Sequence, residues 1–420
     1  MKSFKIYTLG CKVNTYESEV MRDNLINNGY IEGEIPTDIV IINTCSVTNT
    51  ADSKSMKTIR KAIKDNPNAL VVVAGCMSQN RKENIDGVDI IIGNKYKSNI
   101  VSLINEYQGK SINKVEDVMD IPFESMVVNN SLKTRAFIKI EDGCENFCSY
   151  CIIPYTRGNV RSKPKEDVLK EINNLVNKGH KEIVLTGIHT GHYNIGNYNF
   201  SDLLEDILKI NKLERLRISS IEITELDDKF FRLLENSSVL VDHMHIPLQS
   251  GSNNVLKQMN RKYDKEYFIK KIEKIRSIRP NISITTDVIV GFPGETDLEH
   301  KETIETIKKI NFSKIHVFPY SDRIGTKAST MPNHINELVK KQRANDLLEL
   351  SKQLEKNYMR KFIDSNIIFI PEVYKEGFII GHTGNYLLVK ALGDETDLNK
   401  NVLVHLKCVN YPYIMAEKID

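Results

Sequence analysis

The segment Cys144-Glu145-Asn146-Phe147-Cys148-Ser149-Tyr150-Cys151 has a C-x3-C-x2-C spacing. Three thiolates this close are one short of the closed tetrahedral set of a structural zinc. They match three corners of a cubane 4Fe-4S cluster, whose fourth iron then lacks a protein ligand and is open to a substrate or cofactor. The alternative is a structural zinc completed by a distant thiol such as Cys408, but its usual signature is a paired C-x2-C arrangement. Three further cysteines, Cys11, Cys45 and Cys76, each follow a short apolar run, and two of them come directly after Gly10 and Gly75. A lone cysteine is most often a small buried hydrophobe. Three in equivalent positions point to a shared ligand, because metals collect thiolates. Cys408, the seventh, reads as structural.

Positioning those thiols falls to strands. Apolar, β-branched runs at residues 4–9, 38–42 and 69–74 alternate with helix-like stretches at 17–28 and 53–64, which predicts βαβ crossovers and a parallel sheet. The loops at the carboxyl ends of such strands open on one edge, where α/β sheets bind ligands, so Cys11, Cys45 and Cys76 should meet there. A polar passage at 109–133 reads as a connector. Beyond it six strand-like runs (136–140, 182–185, 215–219, 243–246, 283–289, 314–318) alternate with helical segments. Six units are too few for a closed eight-unit barrel, so a six-unit partial (β/α) barrel is expected, working at the carboxyl ends of its strands. Residues 338–361 read as a long helix with seven Lys or Arg against three acidic residues, a solvated face. Short strands at 366–371, 377–382, 386–389 and 402–406 predict a small all-β barrel. The expected domains are therefore 1–112, 130–360 and 361–420, in an α/β class overall.

The 420 residues, 40% hydrophobic and 27% charged, suffice for two or three cores and exclude disorder or a coiled coil as the whole structure. No run approaches the roughly 20 apolar residues of a membrane span, and no signal-peptide core is evident. A soluble, cytoplasmic protein is the expectation. A formal charge of +3 permits a nucleic-acid partner without indicating one.

The C-x3-C-x2-C segment, with Tyr150 as its aromatic, resembles the signature of radical S-adenosylmethionine (SAM) enzymes. Later segments resemble the superfamily's SAM-contacting loops: Leu185-Thr186-Gly187-Ile188-His189, Arg217-Ile218-Ser219-Ser220, Ile246 to Gly251 with Gln249, and Asp287 to Glu295 with Gly291. The resemblance implies SAM contacts from Tyr150, Thr186, Gly187, His189, Ser219, Ser220, Gln249, Asp287 and Gly291. Together with the preceding three-cysteine region and the following β region, the whole chain resembles the methylthiotransferase family. Its opening motif is Thr8-Leu9-Gly10-Cys11-Lys12-Val13-Asn14. Lys-Val-Asn there, and Ile188-His189, look like the MtaB branch, which acts on N6-threonylcarbamoyladenosine (t6A) at position 37 of tRNA.

That resemblance implies two 4Fe-4S clusters. Cys144, Cys148 and Cys151 would hold the one that cleaves SAM to a 5′-deoxyadenosyl radical, and Cys11, Cys45 and Cys76 an auxiliary one carrying the sulfur to be methylated and transferred. It further implies a tRNA anticodon stem-loop as partner, an electron donor such as flavodoxin or ferredoxin, and SAM as methyl donor. Residues 361–420 carry six Lys and no Arg against eight acidic residues, which disfavours a phosphate-binding surface there. The RNA backbone is instead expected on Arg157, Arg161 and Lys163 and on helix residues Arg343, Lys352, Lys356 and Arg360, with Tyr386 or Phe378 stacking on splayed bases. Alternatives are a methylthiotransferase acting on isopentenyladenosine or on a ribosomal-protein aspartate, or a non-catalytic iron–sulfur electron carrier or RNA-binding module.

Overall fold

A computed structural model describes residues 1–419. The first region is a six-stranded sheet: β1 (Ser3–Thr8), β2 (Ile31–Glu32), β3 (Ile39–Thr44), β4 (Leu70–Gly75), β5 (Ile90–Ile92) and β6 (Ile112–Lys114), with helices α1 (Lys12–Asn27), α2 (Asn49–Asp65), α3 (Cys76–Arg81) and α4 (Ile100–Glu106). All neighbours pair in parallel, in the order β2-β1-β3-β4-β5-β6. Helices cover both faces, so β3 is buried at every residue and reads as a continuous apolar run instead of an alternation. The sequence pattern shows β1, β3 and β4. The two- and three-residue strands β2, β5 and β6 are too short to carry a period.

The second region begins with β7 (Arg135–Lys139). A short ladder of β8 (Glu141–Asp142) and β9 (Arg161–Ser162) brackets α5 (Ile153–Arg157). Then come α6 (Lys165–Asn177), β10 (Glu182–Thr186), the hairpin of β11 (Asn194–Ile195) and β12 (Tyr198–Asn199), α7 (Phe200–Ile207), β13 (Arg215–Ile218), α8 (Asp228–Asn236), β14 (His243–His245), α9 (Asn253–Gln258), α10 (Lys265–Ile278), β15 (Ser283–Val290), α11 (Asp297–Ile310) and β16 (Lys314–Pro319). Local chemistry sets several starts: Asn199 with Asp202, and Thr296 with Glu299, form capping boxes for α7 and α11. The six longer strands make two parallel triplets, β7-β10-β13 and β14-β15-β16. These join where Leu216 bridges Leu240, with Leu216 N donating to Val239 O at 2.8 Å. The result is the expected open six-unit arc, with β7 and β16 at its free edges.

The first region closes the gap between those edges. From α1, Tyr16 donates to Met126 O (2.8 Å) beside β7, while Asn49 N donates to Ser321 Oγ (3.0 Å) and Arg323 reaches Ser46 and Asp52 (2.7 and 2.8 Å) beyond β16. The connector is no free linker. Met126 and Val128 are buried against Tyr16 and Val20.

The long helix α12 (Glu337–Arg360) leads to a closed barrel of β17 (Asn366–Lys375), β18 (Phe378–Thr383), β19 (Leu388–Leu392), β20 (Val402–Asn410) and β21 (Tyr413–Lys418). This barrel caps the amino ends of the arc. Arg215 donates to Ile368 O (2.9 Å), Arg217 to Gly384 O (3.2 Å) and Arg135 to Tyr386 Oη (3.0 Å).

Two charge expectations fail. Arg157 and Lys163 are fully buried, not turned toward an RNA backbone. Arg157 pairs with Glu17 (2.5 Å), Lys163 with Glu171, and the half-buried Arg161 with Asp142 (2.9 Å). Arg157, through Glu17, and Lys163, which also donates to Tyr16 Oη (3.2 Å), fasten α1 to the arc. On α12, Arg343 is buried and pairs with Glu295 and Asp297 (2.8 and 2.7 Å), because this face of the helix lies against the arc and not solvent. Lys352 and Arg360 remain exposed and Lys356 is half-buried.

Candidate active site

Cys11 is the N-cap of α1, Cys45 follows β3, and Cys76 opens α3 directly after β4. Their strands are neighbours in the sheet, so sixty-five residues of sequence collapse onto one edge. Gly10 and Gly75 take φ of +99° and +104°, values a residue with a Cβ avoids. A Cβ on Gly10 would lie 2.9 Å from Cys45 Sγ. Burial pushes the Cys45 thiol up to about 11, and Cys76 and Cys11 push it the same way. Cys11 is raised by burial and by Cys76, against the Arg157 guanidinium. Cys76 thus raises both other thiols, so a cation that gathers their charge would favour loss of the protons, and the chemistry of the donor set fits a metal cluster.

The second trio sits between β8 and β9. Its loop is tied down by backbone bonds: Cys144 N donates to Gly158 O (3.0 Å), Cys151 N to Cys148 O (2.9 Å) and Ser149 N to Met259 O (3.1 Å). Arg261 donates to Cys148 Sγ (3.4 Å) and pairs with Glu222. Burial, then the Cys151 and Cys148 thiols, drive Cys144 to about 12; Cys151 likewise rises to about 12 through burial and Cys148. The chemistry of these three thiol donors also fits an iron–sulfur cluster.

Between the regions lies a cavity of about 840 Å3, bounded by Cys11 and Lys12 from the first region, strand ends of the arc, and Tyr386 from the β-barrel. Among the residues singled out for SAM, Thr186, Gly187, Ser219, Ser220 and Asp287 line it. The other four do not. His189 is held in the same turn as Gly187: its backbone N donates to Glu141 (2.6 Å), its ring pairs with Glu225 and stacks on His192, and its Nδ1 lies 3.7 Å from Cys144 Sγ. Tyr150 packs against the cluster of Val255, Met259, Phe292 and Tyr320. Gln249, at φ +65°, is engaged through its backbone, donating to Asp287 O (2.8 Å). Gly291 faces α12, where a Cβ would lie 2.4 Å from Lys340 Cγ.

Several cavity residues escaped the sequence reading. His243 and His245 line it together, as does His316. The signal was available, since His-Met-His on a strand puts both imidazoles on one face. Lys12 was noticed only as part of a motif. Tyr386 does not reach out to splayed bases: its ring stacks on His243 and His382, with centroids 4.6 and 4.5 Å apart, and Arg217 lies over it at 4.7 Å.

Residues 138–307 match the Radical SAM superfamily, and residues 3–93 match the uncharacterized protein family UPF0004. The threonylcarbamoyladenosine tRNA methylthiotransferase MtaB of Bacillus subtilis is 42% identical over 98% of this chain and 95% of its own length. The MtaB of Thermotoga maritima is 37% identical over 94% and 92%. A tRNA-2-methylthio-N(6)-dimethylallyladenosine synthase of Clostridium botulinum is 35% identical over 99% and 97%. Among solved structures, the radical SAM methyltransferase TsrM of Kitasatospora setae superposes with a TM-score of 0.58 at 14% identity, covering 78% of this chain and 77% of that one; that likeness concerns the fold. The chain belongs to the MtaB-type radical SAM tRNA methylthiotransferase family.

Proposed function

We propose that this enzyme methylthiolates C2 of t6A at position 37 of tRNA, using two 4Fe-4S clusters held by Cys144, Cys148 and Cys151 and by Cys11, Cys45 and Cys76. One observation carries the reading. Cys11 lines the same cavity as Gly187, whose turn also brings His189 against Cys144, so the second thiol set lies beside the chamber on which the first opens. When bound, the clusters and SAM supply a radical able to break an aromatic C–H bond, a sulfur and a methyl group. The chain's own contribution is placement and exclusion of water: the β-barrel shuts the amino end of the arc, and the first region shuts its open side. A base must therefore be splayed from a single-stranded loop to enter, as an anticodon loop permits.

The choice of t6A rests on the resemblance to the MtaB enzymes and on Lys12. A cytoplasmic setting with a flavodoxin- or ferredoxin-like donor accompanies this reading, and no helix among the described residues is long and apolar enough to cross a membrane. The test incubates reconstituted enzyme, SAM and reductant with tRNA bearing t6A, tRNA bearing isopentenyladenosine, and ribosomal protein. Product on the first alone supports the reading. Product on either of the others, with none on the first, overturns the substrate and keeps the enzyme class.

A further inference from the structure

The cavity wall between the first region and the β-barrel is cationic and short of acceptors. Arg217 is buried at 2% exposure; its Nε is paired with Glu182 (2.6 Å) and its Nη2 with backbone oxygens of the β-barrel, while Nη1 has no partner. His243 is buried on the same wall, and its Nδ1 is also without a partner. Lys12, in the first turn of α1, lines the same cavity, and among the described residues its ammonium has no ion-pair or hydrogen-bond partner. The acids that line this cavity are engaged elsewhere: Asp287 with His245 (3.3 Å) and Glu355 with Lys314 (2.9 Å). A buried polar atom left unpaired is costly, and here Arg217 Nη1, the His243 ring nitrogen and the Lys12 ammonium belong to residues that line one cavity.

We propose that Lys12 and Arg217 form a carboxylate subsite, with His243 Nδ1 beside it, that holds the acid group on the N6 substituent of the target adenosine. The proposal rests on the t6A reading and adds a specificity device to it. C2 and the N6 substituent leave the purine from ring positions separated by N1, so a base whose C2 is presented to the chemistry sends its N6 chain to another part of the chamber. A carboxylate reaching Lys12 and Arg217 satisfies both cations at once. An isopentenyl chain would leave the Lys12 ammonium and Arg217 Nη1 without that acceptor, which is how a polar site rejects an apolar analogue.

The test uses the full-length reconstituted enzyme and two anticodon stem-loop RNAs that differ only in the t6A carboxylate, free in one and methyl-esterified in the other. Binding constants and kcat/KM for methylthiolation are measured for each. The wild type should prefer the acid by about ten- to a hundredfold, the range expected for hydrogen bonds to a charged group. Lys12→Gln should remove most of that preference, Lys12→Arg should keep it, and Lys12→Glu should invert it, an outcome that misfolding cannot imitate. Arg217→Lys should narrow the gap in binding. A wild type indifferent to esterification, or a Lys12→Gln variant that keeps the full gap, overturns the subsite while methylthiolation of the acid RNA leaves the t6A reading standing. Failure to modify the acid RNA alongside product on an isopentenyladenosine RNA overturns both.

Discussion

Cys144 and Cys11 differ in what surrounds them, and single substitutions should separate their roles. Replacing Cys144, Cys148 or Cys151 by Ala leaves two thiolates in a loop built for three. SAM cleavage, read as 5′-deoxyadenosine, and methylthiolation should both vanish, and iron content should drop by about one cluster. Replacing Cys11, Cys45 or Cys76 touches a different region, so SAM cleavage should persist while methylthiolation stops. Unaltered 5′-deoxyadenosine formation in the Cys144 variant would contradict the assignment. Gly10→Ala is a subtler probe of the same site: its Cβ would lie 2.7 Å from Cys45 Cβ and φ is +99°, so iron at this site should fall though no ligand is removed. The thiols were legible because each closes a strand-like run. Glu17 was not, because nothing in a helical sequence reveals that a glutamate will be buried among Lys97, Lys139 and Arg157.

Among the elements, α12 shows how a charge count misleads. Seven basic residues suggested a solvated face, but one stripe of the helix packs on the arc and takes Arg343 and Lys340 inside. The outward stripe keeps Lys352 and Lys356, whose ammonium groups lie 5.9 and 5.6 Å from the Tyr411 ring at the tip of the β20–β21 hairpin. Lys352→Glu with Lys356→Glu should raise the apparent KM for tRNA more than it lowers kcat, and the effect should shrink with added salt. Arg343→Ala should instead lower stability, by about 3–5 kcal/mol, since it strands the buried Glu295; a thermal or denaturant melt checks it. The six strands of the arc were readable as short strand-like runs alternating with helical segments. β21 was not, because its buried residues alternate with exposed ones only briefly, just after Pro412.

At the scale of the molecule, one ion cluster joins the first region to the arc. Burial would raise the Glu17 carboxyl, but the charges of Arg157, Lys139 and Lys97 outweigh it and hold that carboxyl well below its usual range. A carboxyl depressed in the folded state stabilises above its unfolded range near about 4, and that stability is lost as pH falls toward its folded value. Acid melts should therefore show a steep loss below about pH 4. Glu17→Gln should lower the melting temperature at neutral pH and flatten that acid limb; an unchanged acid limb would contradict the role given to this cluster. The cavity beside this joint, lined by Cys11 and by Gly187, whose turn holds His189 against Cys144, underlies the whole account, and the composition and near-neutral charge of the chain gave no hint of it. Its most direct test is nucleoside mass spectrometry of bulk tRNA from a strain lacking this chain, beside the same strain complemented with it. The account predicts that 2-methylthio-t6A disappears, t6A accumulates, and both recover on complementation while 2-methylthio-isopentenyladenosine stays constant. Intact 2-methylthio-t6A in the deletion strain, with loss of the isopentenyl product instead, would contradict it.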